Sequence, residues 1–550
     1  MSDVKLDDIV SLAKRRGFIY PGSDVYGGLS GTWDYGPLGV VLKKNIMNLW
    51  WKMFVDDAEN MYGVDAAILM NQKVWQASGH VDTFNDPLIA CNHCKSRFRA
   101  DKLITDVEEY KKEAKAYFKS QKDKLALIDL PEEWSDYKSN HIAALVDIFG
   151  EARIPAHESL KELKKHIDED EKLSYTYMGT FPRIYLRTHS IKCERCGSNE
   201  WQDATAFNMM FKTKVGATSD NITEVRTSYK YNADHDRTSQ ESIREVMEMG
   251  AEAVSYLRPE TAQGIFTNFK NVVDSFYPDL PFGIAQQGKA FRNEISPRDF
   301  IFRSREFEQM EIEYFVHPDK WEEAFEEWIK KVHDWCDALG LPKDSVHELE
   351  VSEADRAHYS KRTIDFEFDF PIGREELLGL AYRTDFDLKN IERASGKKMD
   401  YRPKEGGEAF VPHVIEPSFG VERALMAVLT AAYREDEQNG EKRIYLALPA
   451  HLAPVKVAVL PLVKNKPELV ARAREVYAML KKELGAVMWV DTGNIGKNYR
   501  KMDEIGVPYC VTIDFDTLEG DTKDTVTIRH RDTTEQERVQ LGTLLEKITF

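Results

Sequence analysis

The stretch Phe291-Arg-Asn-Glu-Ile-Ser-Pro-Arg298, with Phe302-Arg-Ser-Arg-Glu-Phe-Glu-Gln-Met-Glu311 after it, concentrates groups that could handle a nucleotide. Its pattern predicts a strand, a polar turn at Ser296–Asp299 and a returning strand. Arg292, Arg303 and Arg305 gather along it, and an arginine fork can hold two oxygens of a phosphate or carboxylate at once. Phe307 offers an aromatic face to a nucleobase. Phosphate clamps and a base platform on one loop are what nucleotide chemistry requires. On composition alone, a surface hairpin laced with salt bridges reads equally well.

A second constellation is built from sulfur. Four of the six cysteines form two CxxC pairs, Cys91-Asn-His-Cys94 and Cys193-Glu-Arg-Cys196. In a chain with no secretory signal this spacing favours a structural zinc ion on four thiolates over disulfides, with four reduced thiols as the other reading. Cys336 and Cys510 sit in apolar surroundings and are expected in the core. No Gly-x-Ser-x-Gly or Cys/His arrangement calls for a protein nucleophile.

These groups need a scaffold of more than one domain, since 550 residues exceed a single compact core. With 42% hydrophobic and 31% charged residues the composition is that of a folded soluble protein, and no apolar run reaches the length of a membrane span, so a cytoplasmic location is expected. The net charge is −18, yet residues 444–550 hold 15 Lys and Arg against 15 Asp and Glu, so the acid excess lies earlier. A local basic surface can still serve RNA phosphates. Leu6, Ile9, Val10 and Ala13 recur at helical spacing. The glycines of Tyr26–Gly39 forbid a regular helix, and Val41, Ile46, Leu49, Trp50 and Phe54 then form a helical stripe. Residues 104–175 carry 12 Lys and Arg and 17 Asp and Glu, with Glu108–Lys124 read as an exposed charged helix. Pro281–Gly288, Glu311–Val316 and the alternating Thr363–Phe370 are predicted strands of an antiparallel sheet flanked by helices. From Lys456 onward strands and helices alternate: a strand to Val463, a helix burying Leu469, Ala473, Val476, Leu480 and Leu484, strand 486–490, helix 496–505, strands 509–513 and 526–530, and a final helix from Thr534.

The Phe291-Arg-Asn-Glu294 and Arg305-Glu-Phe strings resemble motif 2 of the class II aminoacyl-tRNA synthetases. Ser418-Phe-Gly-Val-Glu-Arg423 resembles motif 3, and Trp33-Asp-Tyr-Gly-Pro-Leu-Gly39 resembles motif 1, the dimer-interface motif. Tyr26-Gly-Gly-Leu29, Arg99-Ala-Asp101, Leu257-Arg-Pro-Glu-Thr-Ala-Gln-Gly264, Arg305-Glu-Phe-Glu-Gln-Met-Glu311, Arg383-Thr-Asp-Phe-Asp-Leu388 and Glu416-Pro-Ser418 narrow the resemblance to the dimeric glycyl-tRNA synthetases.

The resemblance implies an α+β catalytic domain over 1–90 and 200–440, the antiparallel sheet of class II synthetases flanked by helices. It also implies a helical, zinc-bearing insertion over 91–199 and an α/β anticodon-binding domain over 444–550. It implies a homodimer that activates glycine with ATP and transfers it to the 3′ end of tRNA(Gly), with Mg²⁺ and no protein nucleophile. Arg292 and Arg423 are the implied catalytic residues. Arg292 would bind the α-phosphate and the glycine carboxylate, and Arg423 would hold the far end of ATP. Asn293, Glu294, Phe302, Arg303, Ser304, Arg305, Glu306 and Phe307 complete the motif 2 share of the ATP site, with Phe307 stacked on adenine. Gly420, Val421 and Glu422 belong to the motif 3 share. Glu376 would coordinate Mg²⁺, with Leu377 beside the nucleotide. Glu260, Glu311, Glu416 and Ser418 would surround the glycine ammonium. Phe307, Glu308, Gln309, Met310, Pro417, Phe419 and Gly420 would line the same pocket, and Arg99 would reach in from the insertion. Arg500, Lys501, Arg529 and Arg531 are candidate anticodon contacts. The competing readings are a proline, threonine or histidine enzyme of the same class, a polymerase accessory subunit on this scaffold, and a zinc-ribbon nucleic-acid-binding protein.

Overall fold

A computed structural model describes residues 4–548 apart from 108, 115, 118–179, 216–253, 354, 355, 358 and 439. Most of the 104–175 block lies outside the described residues; of the helix expected at Glu108–Lys124, residues 109–114, 116 and 117 are described and helical, but Tyr110 and Ala114 are buried, so that face is not exposed as expected. The chain divides into two compact units, one of Met1–Ser78, Lys212–Phe291 and Arg298–Phe550, the other of Gly79–Phe211 with Arg292–Pro297. No helix among the described residues is long and apolar enough to cross a membrane.

The first unit is built on a seven-stranded sheet. Its strands are β1 (Met61–Gly63), β2 (Phe282–Phe291), β3 (Glu306–Val316), β4 (Val346–Glu350), β5 (Arg362–Phe370), β6 (Gly373–Thr384) and β7 (His413–Gly420), in the order β4-β5-β6-β7-β3-β2-β1. All neighbours are antiparallel except β1 and β2. The alternation read in β5 holds, with Ile364, Phe366, Phe368 and Phe370 buried on one face. On β3 the same period sends Met310, Ile312 and Tyr314 into the main core and Gln309, Glu311 and Glu313 to the opposite face.

The hairpin between β2 and β3 is wider than the turn read at Ser296–Asp299. Glu306 pairs with Phe291, the chain reverses between Arg298 and Arg303, and Asp299 and Phe300 sit at its tip with positive φ. Phe300, Ile301 and Phe302 are buried, so apolar burial anchors this loop where a short polar turn was expected.

Helix α1 (Leu6–Arg16) buries Ile9, Leu12 and Ala13. Helix α2 (Pro37–Trp51) begins with proline in its first turn, where the missing N–H costs nothing. A Cβ on Gly39 would lie 1.8 Å from the Phe18 carbonyl oxygen, so glycine alone fits that close approach. Its buried stripe is Leu42, Ile46 and Trp50, continued by Phe54, with Val41 and Leu49 half-buried. Helices α3 (Ala262–Phe276), α4 (Trp321–Ala338), α5 (Phe386–Ser395) and α6 (Val421–Ala432) complete the packing around the sheet. Nearly every α6 residue is buried. Glu422 in its first turn accepts hydrogen bonds from the Tyr35 hydroxyl (3.0 Å) and the Glu308 N–H (2.9 Å). One carboxyl group thereby ties the segment before α2, strand β3 and helix α6 together. Burial pushes Glu422 up to about 7.

The C-terminal part carries its own five-stranded sheet: β8 (Val457–Pro461), β9 (Val487–Trp489), β10 (Tyr509–Ile513), β11 (Thr525–His530) and β12 (Gln536–Gln540), ordered β9-β8-β10-β11-β12. Helix α7 (Pro467–Leu484) buries Leu469, Ala473, Val476 and Leu480, and helix α8 (Ile495–Glu504) follows β9. The final helix expected from Thr534 is not there. Thr534 has a positive φ, the chain turns back, and Gln536–Gln540 pairs with β11; among the described residues after it, a 3-10 turn at Leu541–Thr543 leads into a single α-helical turn, Leu544–Lys547. Val539 is the single apolar residue of β12, so no period was available to read. Arg529 and Arg531, considered above as anticodon contacts, are buried. Arg529 holds Asp503 in a two-pronged pair (2.7 and 2.9 Å) that Arg443 joins at 3.3 Å, while Arg531 caps the Gly506 carbonyl. Arg500 remains exposed beside Glu441.

Two outcomes follow from these ties. Asp503→Ala strands the buried Arg529 guanidinium, while Arg443 keeps Asp436 and the Arg531 carbonyl, and should cost about 3–5 kcal/mol in urea unfolding, whereas Arg500→Ala should stay within about 0.5 kcal/mol; equal losses would refute the structural role of Asp503. The stability that Glu422 supplies is fully present below its ordinary value of 4.5 and is lost as pH rises through about 7. Glu422→Gln cannot ionise, so its melting temperature should gain on the wild type steadily from pH 4.5 to 7.5. A constant difference across that range would remove the assigned shift.

Candidate active site on the antiparallel sheet

The polar face of the central strands gathers acids around one arginine. Glu311 on β3 is buried and saturated. Its Oε1 accepts from the Ser418 hydroxyl (2.6 Å) and Gln309 Nε2 (3.4 Å), and its Oε2 accepts from the Thr261 N–H (3.1 Å) and the Thr261 hydroxyl. The register sets Glu311 against Ser418 on β7, so strand pairing itself supplies this contact. Glu416, two residues back on β7, receives Arg383 Nη1 at 2.8 Å. Arg383, from the end of β6, sends Nε and Nη2 to Asp387 (2.8 and 2.9 Å), and Gln263 of α3 also donates to Asp387 (2.9 Å). The guanidinium lies 3.9 Å from the centre of the Tyr359 ring. Glu260 acts on both Glu311 and Glu416 through its charge. Burial raises Glu311 and pushes Glu416 up to about 8, against the pull of Arg383. The arrangement is short of positive charge, which suits a small cation.

Farther along β7 and β6 lies a second group. Arg423 Nη1 donates to the Glu376 carbonyl and carboxylate, both at 3.0 Å, and its guanidinium stands 4.7 Å from the Phe302 ring centre. The β5–β6 pairing jumps from Phe366–Leu378 to Glu367–Glu376, so Leu377 is the extra residue of a bulge, buried beside Glu376. Asp365 on β5 is raised to about 6, first by burial and then by the charges of Glu376 and Glu367. Arg305 is anchored to the glycine-rich segment, its N–H on the Gly31 carbonyl and Nη1 on the Ser30 carbonyl. Phe307 is half-buried at the start of β3, and Glu306 pairs with Lys289 at 2.7 Å.

Strand alternation divides the expected site residues. Gln309, Glu311, Glu416 and Ser418 share the polar face. Met310, Phe419 and Val421 turn into the main core, and Pro417 is buried between Glu416 and Ser418 with the opposite sense, so their side chains are withdrawn from the pocket. Glu422 is committed to Tyr35 and Glu308. Glu308 is further held by Lys43, and Ser304 is buried with its hydroxyl on the Ile301 carbonyl. The sequence reading assigned no role to Thr261, Gln263, Glu313, Arg383 or Asp387. The signal for Arg383 and Asp387 was their opposite charge at i, i+4, and for Glu313 its place two residues beyond Glu311 in a strand.

Arg292, Asn293, Glu294 and Arg99 belong to the second unit. The Arg292 guanidinium lies 5.5 Å from the Phe84 ring centre, and the Asn293 N–H donates to the Met209 carbonyl. Arg99 pairs with Asp86 (2.9 Å) and Asp101 (2.8 Å), within the field of Glu294. This unit starts before the first CxxC pair and ends after the second because Asn85–Ala90 pairs with both Arg97–Arg99 and Thr205–Asn208. The four sulfurs of Cys91, Cys94, Cys193 and Cys196 all lie within 4.8 Å of one another. The Cys91–Cys196 and Cys94–Cys193 separations are both 3.6 Å, too long for a disulfide. They approach the edge of about 3.8 Å that Zn–S bonds of about 2.3 Å give in a tetrahedron. Cys336 and Cys510 are buried in the core, as expected.

Comparison with known proteins agrees with this geometry. Residues 246–432 match the tRNA synthetase class II core domain (G, H, P, S and T), and residues 456–549 match an anticodon binding domain. A glycine–tRNA ligase of Caldanaerobacter subterraneus is 41% identical over 100% of this chain and 99% of its own length. One from Alkaliphilus oremlandii is 42% identical over 99% of each chain, and one from Deinococcus radiodurans is 41% identical over 99% of this chain and 98% of its own. With relatives of one name aligned along its whole length, the chain belongs to the glycine–tRNA ligase family of class II aminoacyl-tRNA synthetases.

Proposed function

We propose that this protein activates glycine with ATP and transfers the glycyl group to the 3′ end of tRNA(Gly). The observation that carries this reading is the pocket of Glu260, Glu311, Glu416 and Ser418, whose three acids outnumber the arginines that act on them, Arg383 and Arg258, in a chain of this family. A primary ammonium is attracted by several carboxylates at once. With no side chain to grip, selection rests on exclusion, because a pocket that clashes with one methyl group rejects alanine sterically.

In the first step the glycine carboxylate attacks the α-phosphorus of ATP, a P–O bond forms and pyrophosphate leaves. Arg292 is assigned to the α-phosphate and the glycine carboxylate, and Arg423 to the far phosphates; both offset charge that builds on phosphate oxygens in the transition state. From the family motifs, Phe307 is assigned to the adenine, Asn293, Glu294 and Arg303 to ATP, and Arg99 to glycine. Gly420, Val421 and Glu422 meet ATP through their main chain. Enzymes of this class need a divalent metal. Glu376, whose charge acts on Asp365 and which pairs with Arg423 in this structure, is assigned to hold it, and such an ion would offset phosphate charge when bound. In the second step the terminal ribose hydroxyl of the tRNA attacks the glycyl carbonyl and AMP leaves.

The Cys91, Cys94, Cys193 and Cys196 set fits a structural zinc ion that holds the small unit together. Residues 1–90 with 200–440 are assigned to catalysis, 91–199 to the insertion and 444–550 to the anticodon. A homodimer is assigned from the motif 1 resemblance, and a cytoplasmic location accompanies the synthetic role.

Pyrophosphate exchange into ATP, run amino acid by amino acid without tRNA, should proceed with glycine alone. Exchange with another amino acid would replace the substrate, and none with folded protein and Mg²⁺ would leave a binding protein. Ser418→Ala should raise the glycine KM about tenfold or more, by loss of one hydrogen bond to a charged group, and leave the ATP KM in place. Arg423→Ala should do the converse. Metal analysis should find one zinc per chain, lost together with the folding of the small unit in Cys193→Ser; a metal-free wild type with the same melting profile would remove the zinc assignment.

A further inference from the structure

Glu313 is a fully buried acid on the same strand face as Glu311, and the function proposed above makes no use of it. Neither of its carboxyl oxygens has a hydrogen-bond partner among the described residues. Nearby donors are engaged elsewhere: Arg383 on Asp387 and Glu416, Gln263 on Asp387, Ser418 and Thr261 on Glu311. The charged groups that face Glu313 come from each element packed there: Glu311 from β3 itself, Glu416 from β7, Arg383 from β6 and Asp387 from α5. Its partner across the pairing with β2 is the apolar Ile284. The neighbouring Glu416 is in turn acted on by Glu260 and Glu311.

A carboxylate without donors, buried among three other acids and one arginine that is already shared, is too costly to keep charged. Burial and then the Glu416 charge raise Glu313 well above the ordinary carboxyl range. A substrate ammonium lodged between Glu311 and Glu416 adds the missing positive charge and reverses that balance.

We propose that Glu313 is a proton-exchanging positioning residue of the amino-acid pocket, protonated while the pocket is empty and ionised when a primary ammonium occupies it. The inference rests on the glycine-pocket reading above. The balance is simple: the Glu313 O–H bond breaks, its electron pair stays on the carboxylate, and the proton passes to solvent as the zwitterion binds. Because binding releases a proton, affinity rises with pH, by up to tenfold per unit for one proton. The Glu416 charge acts on Glu313, and Glu313 once ionised adds its negative charge behind the ammonium held at Glu416.

The test is titration calorimetry of the full-length protein with glycine between pH 6.5 and 8.5, in buffers of different ionisation enthalpy, alongside the glycine KM in pyrophosphate exchange. The wild type should release close to one proton per glycine near neutrality, its glycine KM falling as pH rises while its ATP KM stays level. Glu313→Gln, which copies the protonated shape, should release clearly fewer protons than the wild type and make the glycine profile shallower, with Glu416 supplying what remains; its ATP KM and melting temperature report whether it is folded. Glu313→Met serves if the glutamine variant does not fold, and if neither folds an absence of proton release by the wild type still overturns the proposal. No proton release by the wild type, or undiminished release by a folded variant, overturns the proposal. Ser418→Ala separates the two levels: if it leaves glycine binding unchanged, the pocket itself is misassigned, whereas weakened glycine binding with undiminished proton release in Glu313→Gln condemns only the role of Glu313.

Discussion

Buried negative charge on one face of a β-sheet is the constraint around which the first unit is arranged. Glu311, Glu313, Glu416 and Asp387 are all withdrawn from water, and each would be prohibitive alone. Arg383 makes the cluster tolerable by dividing its fork between Asp387 and Glu416, while Ser418, Gln309 and Thr261 supply neutral donors to Glu311. These donors come from β6, β7, β3 and the start of α3, so the acids can be accommodated only when the strands are in register. Slipping β3 by one residue against β7 would bring Met310 and Ile312 to the polar face and drive Glu311 into the core beside Trp328 and Phe419. The charge that recognises a ligand thus also penalises the wrong strand pairing.

The opposite face shows how sequence pattern and packing cooperate. Strand β5 alternates acids with Ile364, Phe366, Phe368 and Phe370, and α6 lays an almost wholly buried helix over the same core. Glu422 breaks the apolar rule there, and it does so at the point where the segment before α2, strand β3 and helix α6 converge. A polar group with two donors aimed at it fixes relative placement in a way that interchangeable apolar contacts do not. Three separated motif segments are held in one arrangement by a carboxyl group whose sequence resemblance suggested only a nucleotide contact.

What was legible in the sequence follows the strength of the local period. The β5 alternation, the α7 stripe from Leu469 to Leu480 and the proline-led start of α2 were readable because each repeats a pattern several times. Strand β12 was not, since Val539 is its only apolar residue and a lone residue has no period. The width of the β2–β3 loop was hidden for a different reason: Phe300 and Phe302 read as strand residues but are buried as loop anchors, with Phe302 also beneath Arg423. Charged residues were the least legible. Arg529 and Arg531 carry the same formal charge as Arg500, and only the position of Asp503 and the Gly506 carbonyl separates buried ties from an exposed side chain.

The candidate site divides along the same line. Glu311, Glu416 and Ser418 could be named from motif strings, yet the strings do not say which neighbours hold them, and Arg383 and Asp387 stood in a matching string without a role. Residues that touch a ligand are set by the chemistry of that ligand and recur as motifs. Residues that make the first set tolerable are set by burial, which depends on the pairing of β6, β7 and β3 and is invisible until the strands are placed. Glu313 is the extreme case: one step of strand period from Glu311, identical to it in type, and without a donor where Glu311 has four. Two equal side chains on one strand acquire opposite electrostatic characters because donors from β7 and the start of α3 reach one and stop short of the other, so the distinction belongs to the fold and not to either residue.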